Sequence, residues 1–416
     1  MPSVAGAEGA VSTFAIIADD LTGAMDTGGQ FARSGFHTLV HFLRVPSAAG
    51  EVPVVDTESR ELAPEEAYRR VWEAAETLKG TPVYKKVDST LRGPLGQELD
   101  AVMDALGLEK AVVCPAFPAA GRTVLEGRLR VHGVPLLQTD FARDPLCPPT
   151  DHLGSLLTRQ SRRSVGEVPL QEVRRGAEAL ARALAARREA LLVVDAVEPE
   201  DLAILARALG RLGGGVGVVA CGSAGLAQAL PEGLRLRPAG RPSRGQGRLR
   251  GPVLVVAGSQ REVTRQQVRA AEREGAAVVH LAPLPTEDEA RRALVQATGH
   301  LRAGRDVILT TAFQPPLSGK EQAVAESLGR LAAAVASHHL PGGWVLTGGA
   351  VAYAVCQALG IGSLEIGGEV APGIPFGRVV GGPWEGTPLV TKAGGFGGED
   401  ALAAAIAFLH GGERDG

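Results

Sequence analysis

Cysteine is scarce in this chain of 416 residues, and the few present follow no pattern. Cys114, Cys147, Cys221 and Cys356 are scattered with no CxxC spacing, which gives neither a disulfide framework nor the close-set ligands of a structural zinc site. The expectation is a reduced, cytoplasmic protein with small buried thiols. Long apolar runs are also lacking: none reaches the roughly 18 residues a membrane helix needs. The opening residues, MPSVAGAEGAVSTF, lack the basic-then-apolar order of a secretion signal. Neither sign of charge is in excess, with 43 Lys and Arg against 46 Asp and Glu and a net charge of −3. Such a chain has no general attraction for nucleic acid or an anionic membrane, so an anionic ligand must be held by local groups. No GxxxxGK[ST] loop, GxGxxG turn in its proper context, HExxH helix or fixed-period repeat is found either.

Lysine is the scarcest charged residue, occurring only as Lys79, Lys85, Lys86, Lys110, Lys320 and Lys392. Arginine carries the general surface charge, so the pair Lys85-Lys86 and the lone Lys392 call for specific explanations. The length exceeds what one core usually serves, and two domains are expected. Short apolar runs alternate with amphipathic stretches throughout. Strands are predicted at 13–18, 38–43, 52–55, 82–87, 111–114, 191–195 and 216–220, with helices at 22–34, 64–78, 96–106, 172–187 and 223–230. A Pro-, Gly- and Arg-rich stretch at 234–251 reads as a linker. Beyond it the alternation resumes, with strands at 252–257, 277–281, 306–310, 344–347, 364–370 and 389–391. Helices are expected at 263–274, from 287, and at 320–337, 351–359 and 399–409. The fold class is α/β: two three-layer α/β/α domains, each with a mostly parallel sheet, over 1–233 and 252–416.

Ligands of open α/β sheets bind at the carboxyl ends of strands, and polar clusters occur there repeatedly. Asp19 and Asp20 end the first strand and start a helix. Either can orient or deprotonate a hydroxyl, or cap the helix. Lys86, Asp88, Ser89, Thr90 and Arg92 crowd the end of the strand at 82–87. They offer cations and hydrogen-bond donors suited to a small polyhydroxy acid, although a solvated polar turn would have the same composition. Arg122 follows the strand at 111–114 in a Pro- and Gly-bearing loop, where an arginine can grip a carboxylate or phosphate or simply be solvated.

In the second half, Gly258-Ser259, Thr347-Gly348-Gly349-Ala350 and Lys392-Ala393-Gly394-Gly395 each close a strand, the first two directly before a helix. Small-residue turns of this kind leave backbone amides able to hold phosphate oxygens. Three in one domain suggest a nucleotide laid across the sheet's carboxyl edge. The histidines are scattered, and His338-His339 reads as a helix C-terminal feature.

The segments ADDLTGAMDTG, KKVDSTLRGPLG, CPAFPAAGRT, GSQREVTRQQ, LTGGA and KAGGFG, in this order over nearly the whole chain, resemble the four-carbon acid sugar kinase family. The resemblance implies a sugar-acid-binding N-terminal domain and an ATP-binding C-terminal domain facing each other across a cleft. It also implies ATP and Mg²⁺ as cofactors, and phosphorylation of threonate, erythronate or an oxo-tetronate. Asp20, Asp88 and Arg92 would be catalytic, with Asp19, Lys86, Ser89, Thr90 and Arg122 binding the acid. Ser259, Gly348, Gly349, Ala350 and Gly394 would contact the nucleotide. Met25 and Ala350 stand where the family pattern commonly has polar residues. No protein cage for a metal, nucleic-acid partner or membrane partner is implied, and a homodimer is compatible with the pattern. A kinase for another sugar or hydroxy acid, and a sensor that binds both ligands without transfer, are the alternatives left open.

Overall fold

A computed structural model describes residues 14–42, 51–213, 217–238 and 251–411. The expected linker lies mostly outside these, from 239 to 250. Among the described residues the chain groups into two compact units. One takes Met1–Asp19, Ser34–His37 and Leu43–Arg241; the other takes Asp20–Arg33, Thr38–Phe42 and Pro242–Gly416. The chain therefore passes from the first unit to the second at the Asp19–Asp20 peptide bond.

In chain order the strands are β1 (Ala15–Ala18), β2 (Thr38–Phe42), β3 (Val52–Asp56), β4 (Val83–Lys86), β5 (Ala111–Cys114) and β6 (Arg122–Leu125). There follow β7 (Arg128–Val131), β8 (Val134–Pro135), β9 (Val165–Val168), β10 (Leu191–Val194), β11 (Val219–Gly222) and β12 (Val253–Ala257). The last are β13 (Ala277–His280), β14 (Val307–Thr310), β15 (Gly343–Thr347), β16 (Ser363–Ala371), β17 (Ile374–Val380) and β18 (Pro388–Lys392).

The first unit is built on the order β3-β1-β4-β11-β5-β10-β9, with every neighbouring pair parallel. Strands such as AIIA, AVVC and LLVV are apolar without alternation and fully buried, as expected where helices cover both faces of a parallel sheet. Each buried Val, Ile or Leu contributes about 1.5–3 kcal/mol. β3 and β4 flank β1 on opposite sides, so the sheet reverses direction at β1, the position where such sheets bind ligands. Helix starts follow local chemistry: Pro64–Glu76 has proline in its first turn with Glu65 and Glu66 beside it.

Two expectations here need correction. The single helix read over 172–187 is two, Leu170–Val173 and Ala177–Ala186, because Gly176 between them adopts φ +96°, which no helix can accommodate. Arg122 does not lie in a loop; it opens β6 of a small antiparallel sheet, β6-β7-β8. That sheet, the helix Leu153–Gln160 and β9 were all missed. β7 does alternate exposed and buried residues, but over only four positions, too few to stand out.

The second unit has β13-β14-β12-β15-β18 in parallel order, continued by β17, β16 and β2 in antiparallel pairings. Its core includes Val253, Val255, Ile308, Val345, Val390 and Leu402. β17 was not anticipated. Register shifts at Ile366/Gly368 and Glu369/Ala371 break the two-residue period of its partner β16. Two N-terminal pieces complete this unit. The helix Leu21–Arg33 donates from Gln30 Nε2 and Arg33 Nη1 to Glu369 at 2.8 and 2.9 Å, while β2 pairs with β16. Met25 is fully buried in that helix. The paired histidines behave as read, His338 ending the helix Glu321–His338 and His339 forming its C-cap. No helix among the described residues is long and apolar enough to cross a membrane.

Candidate functional site

In the first unit the carboxyl ends of β1, β3 and β4 bring together a charge network. Asp19 at the end of β1 is 2% exposed. Its Oδ2 accepts from Arg60 Nε at 2.7 Å, and its Oδ1 lies 3.7 Å from Lys86 Nζ, the last residue of β4. Arg60 is held there because its own amide and that of Ser59 both donate to the Asp19 carbonyl. Arg60 Nη2 also lies 3.8 Å from Asp88 Oδ1. Arg92 closes a bidentate pair with Asp88, Nε to Oδ2 and Nη2 to Oδ1, both at 2.9 Å. The Thr90 amide and hydroxyl donate to the same Asp88 Oδ2.

These contacts set the ionisation of the two aspartates. Burial alone would raise both carboxyl groups. Arg60, then Lys86, instead pull Asp19 below its ordinary range, and Arg92, then Arg60, hold Asp88 well below its own. Both are therefore anions at neutral pH. Beneath the network Lys85 Nζ pairs with Glu98 at 2.8 Å and donates to the Lys86 carbonyl, with Ser59 Oγ donating to the other Glu98 oxygen at 2.6 Å. Glu98 thus braces the β3 turn and the end of β4 from below.

Of the residues expected at this site, Asp19, Lys86, Asp88, Thr90 and Arg92 are linked directly. Ser89 is half-buried beside them. Arg122 is buried and stacks on Phe141, with its guanidinium carbon 5.5 Å from the ring centroid. Arg60 was missed. Its signal was present in the sequence, since DTESR directly follows the predicted strand at 52–55. Asp20 groups with the second unit, where Oδ1 accepts from the Gly23 amide at 2.9 Å and Oδ2 from Thr22 Oγ1 at 2.6 Å, capping the helix Leu21–Arg33.

Three glycine-bearing turns of the second unit follow β12, β15 and β18, which are neighbours in its sheet. Gly348 (φ +97°) precedes the helix Gly349–Ala358, which has no side-chain cap, so its first-turn amides have no helical partner. Ala350 lies in that first turn. A Cβ added at Gly349 would meet Asp20 Oδ2 at 2.7 Å, and one added at Gly394 would meet Ser259 Oγ at 2.4 Å. At either position an added Cβ would push that side-chain oxygen aside. Gly349→Ala should therefore displace the Asp20 carboxylate and lower activity while the fold persists, checked by steady-state kinetics beside a thermal melt.

The last turn has an unusual support. Lys392, 1% exposed, donates from Nζ to the carbonyls of Ala393, Phe396 and Gly394 at 3.0, 3.1 and 3.5 Å. Gln267 Nε2 takes the carbonyls of Phe396, Gly397 and Gly398, and Thr264 Oγ1 takes that of Gly394. With so many carbonyls turned onto side chains, the amides of Gly394 and Gly395 have no acceptor among the described residues. That arrangement suits an anion. Burial lowers Lys392 to about 7, and no carboxylate among the described residues pairs with it.

These features define an α/β protein of two units, one with a cluster of charged side chains at its strand ends and one with three glycine-bearing turns at neighbouring strand ends. Residues 14–230 match the family model described as a sugar-binding N-terminal domain, and residues 254–402 match that of a nucleotide-binding C-terminal domain. A D-threonate kinase of Salmonella typhimurium LT2 is 39% identical over 95% of this chain and 97% of its own. A D-erythronate kinase of Heliobacterium modesticaldum is 37% identical over 96% and 97%. Among solved structures, a Salmonella typhimurium LT2 protein described provisionally as a tRNA synthase superposes with TM-score 0.80 at 25% identity, over 94% of this chain and 98% of that one. The chain belongs to the four-carbon acid sugar kinase family.

Proposed function

We propose that this chain transfers the γ-phosphoryl group of ATP to a terminal hydroxyl of a four-carbon sugar acid: threonate, erythronate or a 3-oxo-tetronate. The observation that carries the reading is the cluster of buried Arg60 and Lys86 with partly exposed Arg92 around Asp19 and Asp88, within the span matching a sugar-binding domain. It is supported by relatives named as D-threonate, D-erythronate and 3-oxo-tetronate kinases. A polyhydroxy carboxylate needs cations for its carboxylate and acceptors for its hydroxyls, and this cluster supplies both.

In this reading Lys86, Arg92 and Arg122 bind the acid's carboxylate and the migrating phosphoryl group. Asp19, Ser89 and Thr90 receive its hydroxyls. Asp88 accepts from Arg92 and Thr90, with Arg60 Nη2 3.8 Å away, and has little basicity left, so its role is to hold Arg92 in position. Asp20 orients the attacking hydroxyl and takes its proton. The amides of Gly348, Gly349, Ala350 and Gly394, with Ser259, hold the nucleotide phosphates.

Among the described residues no three metal-ligating side chains converge. Asp20, the carboxylate of the proposed site that groups with the second unit, would be the side chain to hold a Mg²⁺ ion beside the nucleotide phosphates. When bound, the ion would neutralise phosphate charge. The direct test is purified protein with Mg-ATP and a panel of four-carbon sugar acids, the products identified by NMR. A phosphorylated acid with a matching amount of ADP is the expected result; ADP formation indifferent to every acid would reject the reading.

A further inference from the structure

Arg92 has one terminal nitrogen left over from its pairing with Asp88. Nε and Nη2 are both committed at 2.9 Å, and Nη1 points to Asp144, whose Oδ2 lies 3.4 Å away. Charge-assisted N–H···O contacts normally close to about 2.7–2.9 Å, so the Asp144 contact is loose. Asp144 comes from a short segment with its own frame. Thr139 caps the 3-10 turn Asp140–Arg143, the Asp144 amide donates to the Phe141 carbonyl, and Asp144 Oδ1 accepts from the Leu146 amide at 3.0 Å. The same segment lays Phe141 against Arg122. One strap of the first unit therefore touches both arginines assigned to the sugar acid.

We infer that Asp144 is an internal stand-in for the substrate carboxylate, occupying Arg92 Nη1 until the sugar acid displaces it, and so sets the affinity for acids. This rests on the reading that Arg92 binds the acid. The physical case is one of charge and geometry. Asp144 sets a further carboxylate beside Arg92 on a long contact, which screens the guanidinium without closing the site. An incoming carboxylate then exchanges one anion for another, and it can shorten the contact to Nη1. Arg92 is 24% exposed and the Asp144 side chain 13%, so ligand can reach the pair from solvent.

Asp144→Asn keeps a carbonyl oxygen for the Leu146 amide while removing the competing charge; Asp144→Ser keeps a hydroxyl acceptor by another route. Both should lower KM for the preferred four-carbon acid about 3- to 5-fold, the equivalent of roughly 1 kcal/mol for a partly exposed ion pair. The KM for ATP should stay level, and the gain should shrink in high salt. Arg92→Met is measured alongside. If it raises the acid KM sharply while neither Asp144 variant lowers it, or both raise it, the stand-in role is wrong and the site stands. If Arg92→Met leaves the acid KM untouched, the assignment of the site itself fails.

Discussion

Asp20→Asn is expected to lower turnover by roughly 10²- to 10⁴-fold, the usual worth of a positioned general base, with little change in the KM for ATP. The isostere retains an oxygen for the Gly23 amide, so the helix Leu21–Arg33 keeps its cap and the protein should fold normally. The negative charge and the ability to take a proton are lost, and the amide group must donate to Thr22 Oγ1 instead of accepting from it. Circular dichroism and a melt establish the fold, and single-turnover measurements isolate the chemical step. A Mg²⁺ titration adds the decisive comparison: if excess Mg²⁺ restores the rate, the carboxylate acts on the ion rather than on the hydroxyl. Near-normal turnover in the variant would remove Asp20 from the chemistry altogether.

Lys392→Met should weaken ATP binding by about 10-fold or more, since hydrogen bonds from a charged group are worth about 1.5–3 kcal/mol and three of them shape this turn. The methionine stem fills similar space but cannot gather the carbonyls of 393, 394 and 396, so the amides of Gly394 and Gly395 lose their fixed direction. A pH series separates this from a general packing defect. Burial places the Lys392 pKa at about 7, down from 10.5, so the ammonium charge beneath the turn is present below pH 7 and is lost above it. The KM for ATP in the unaltered protein should accordingly rise between pH 6 and pH 8.5, and the variant should show a flat profile over that range. Stability moves the opposite way. From about pH 7 to 10.5 the unfolded chain holds a proton that the folded chain has released, so this group's burial penalty fades as pH climbs. A wild-type KM for ATP that stays level from pH 6 to 8.5 would show that Lys392 does not titrate there.

The turns at strand ends were legible because strand, turn and helix follow one another in the chain, and chemistry collects where they meet. Asp19, Lys86, Asp88 and Arg92 were found in this way, and the structure brings them within contact distance. Other features had no such local mark. Arg60 reaches Asp19 from 41 positions away, and Asp144 reaches Arg92 from 52. The reason Lys392 is a lysine becomes visible only once the turn beyond β18 folds its carbonyls back over the ammonium.

The same division holds for the architecture. By itself the order of apolar runs and turns determined an α/β class with mostly parallel sheets, because burial on both faces demands unbroken apolar strands. Only the tertiary structure decided that residues 20–33 and 38–42 complete the second unit, which splits Asp19 from Asp20. That choice depends on contacts such as Gln30 and Arg33 with Glu369, more than 300 residues apart in the chain. Periodicity records which face of an element is buried, but not which distant surface buries it.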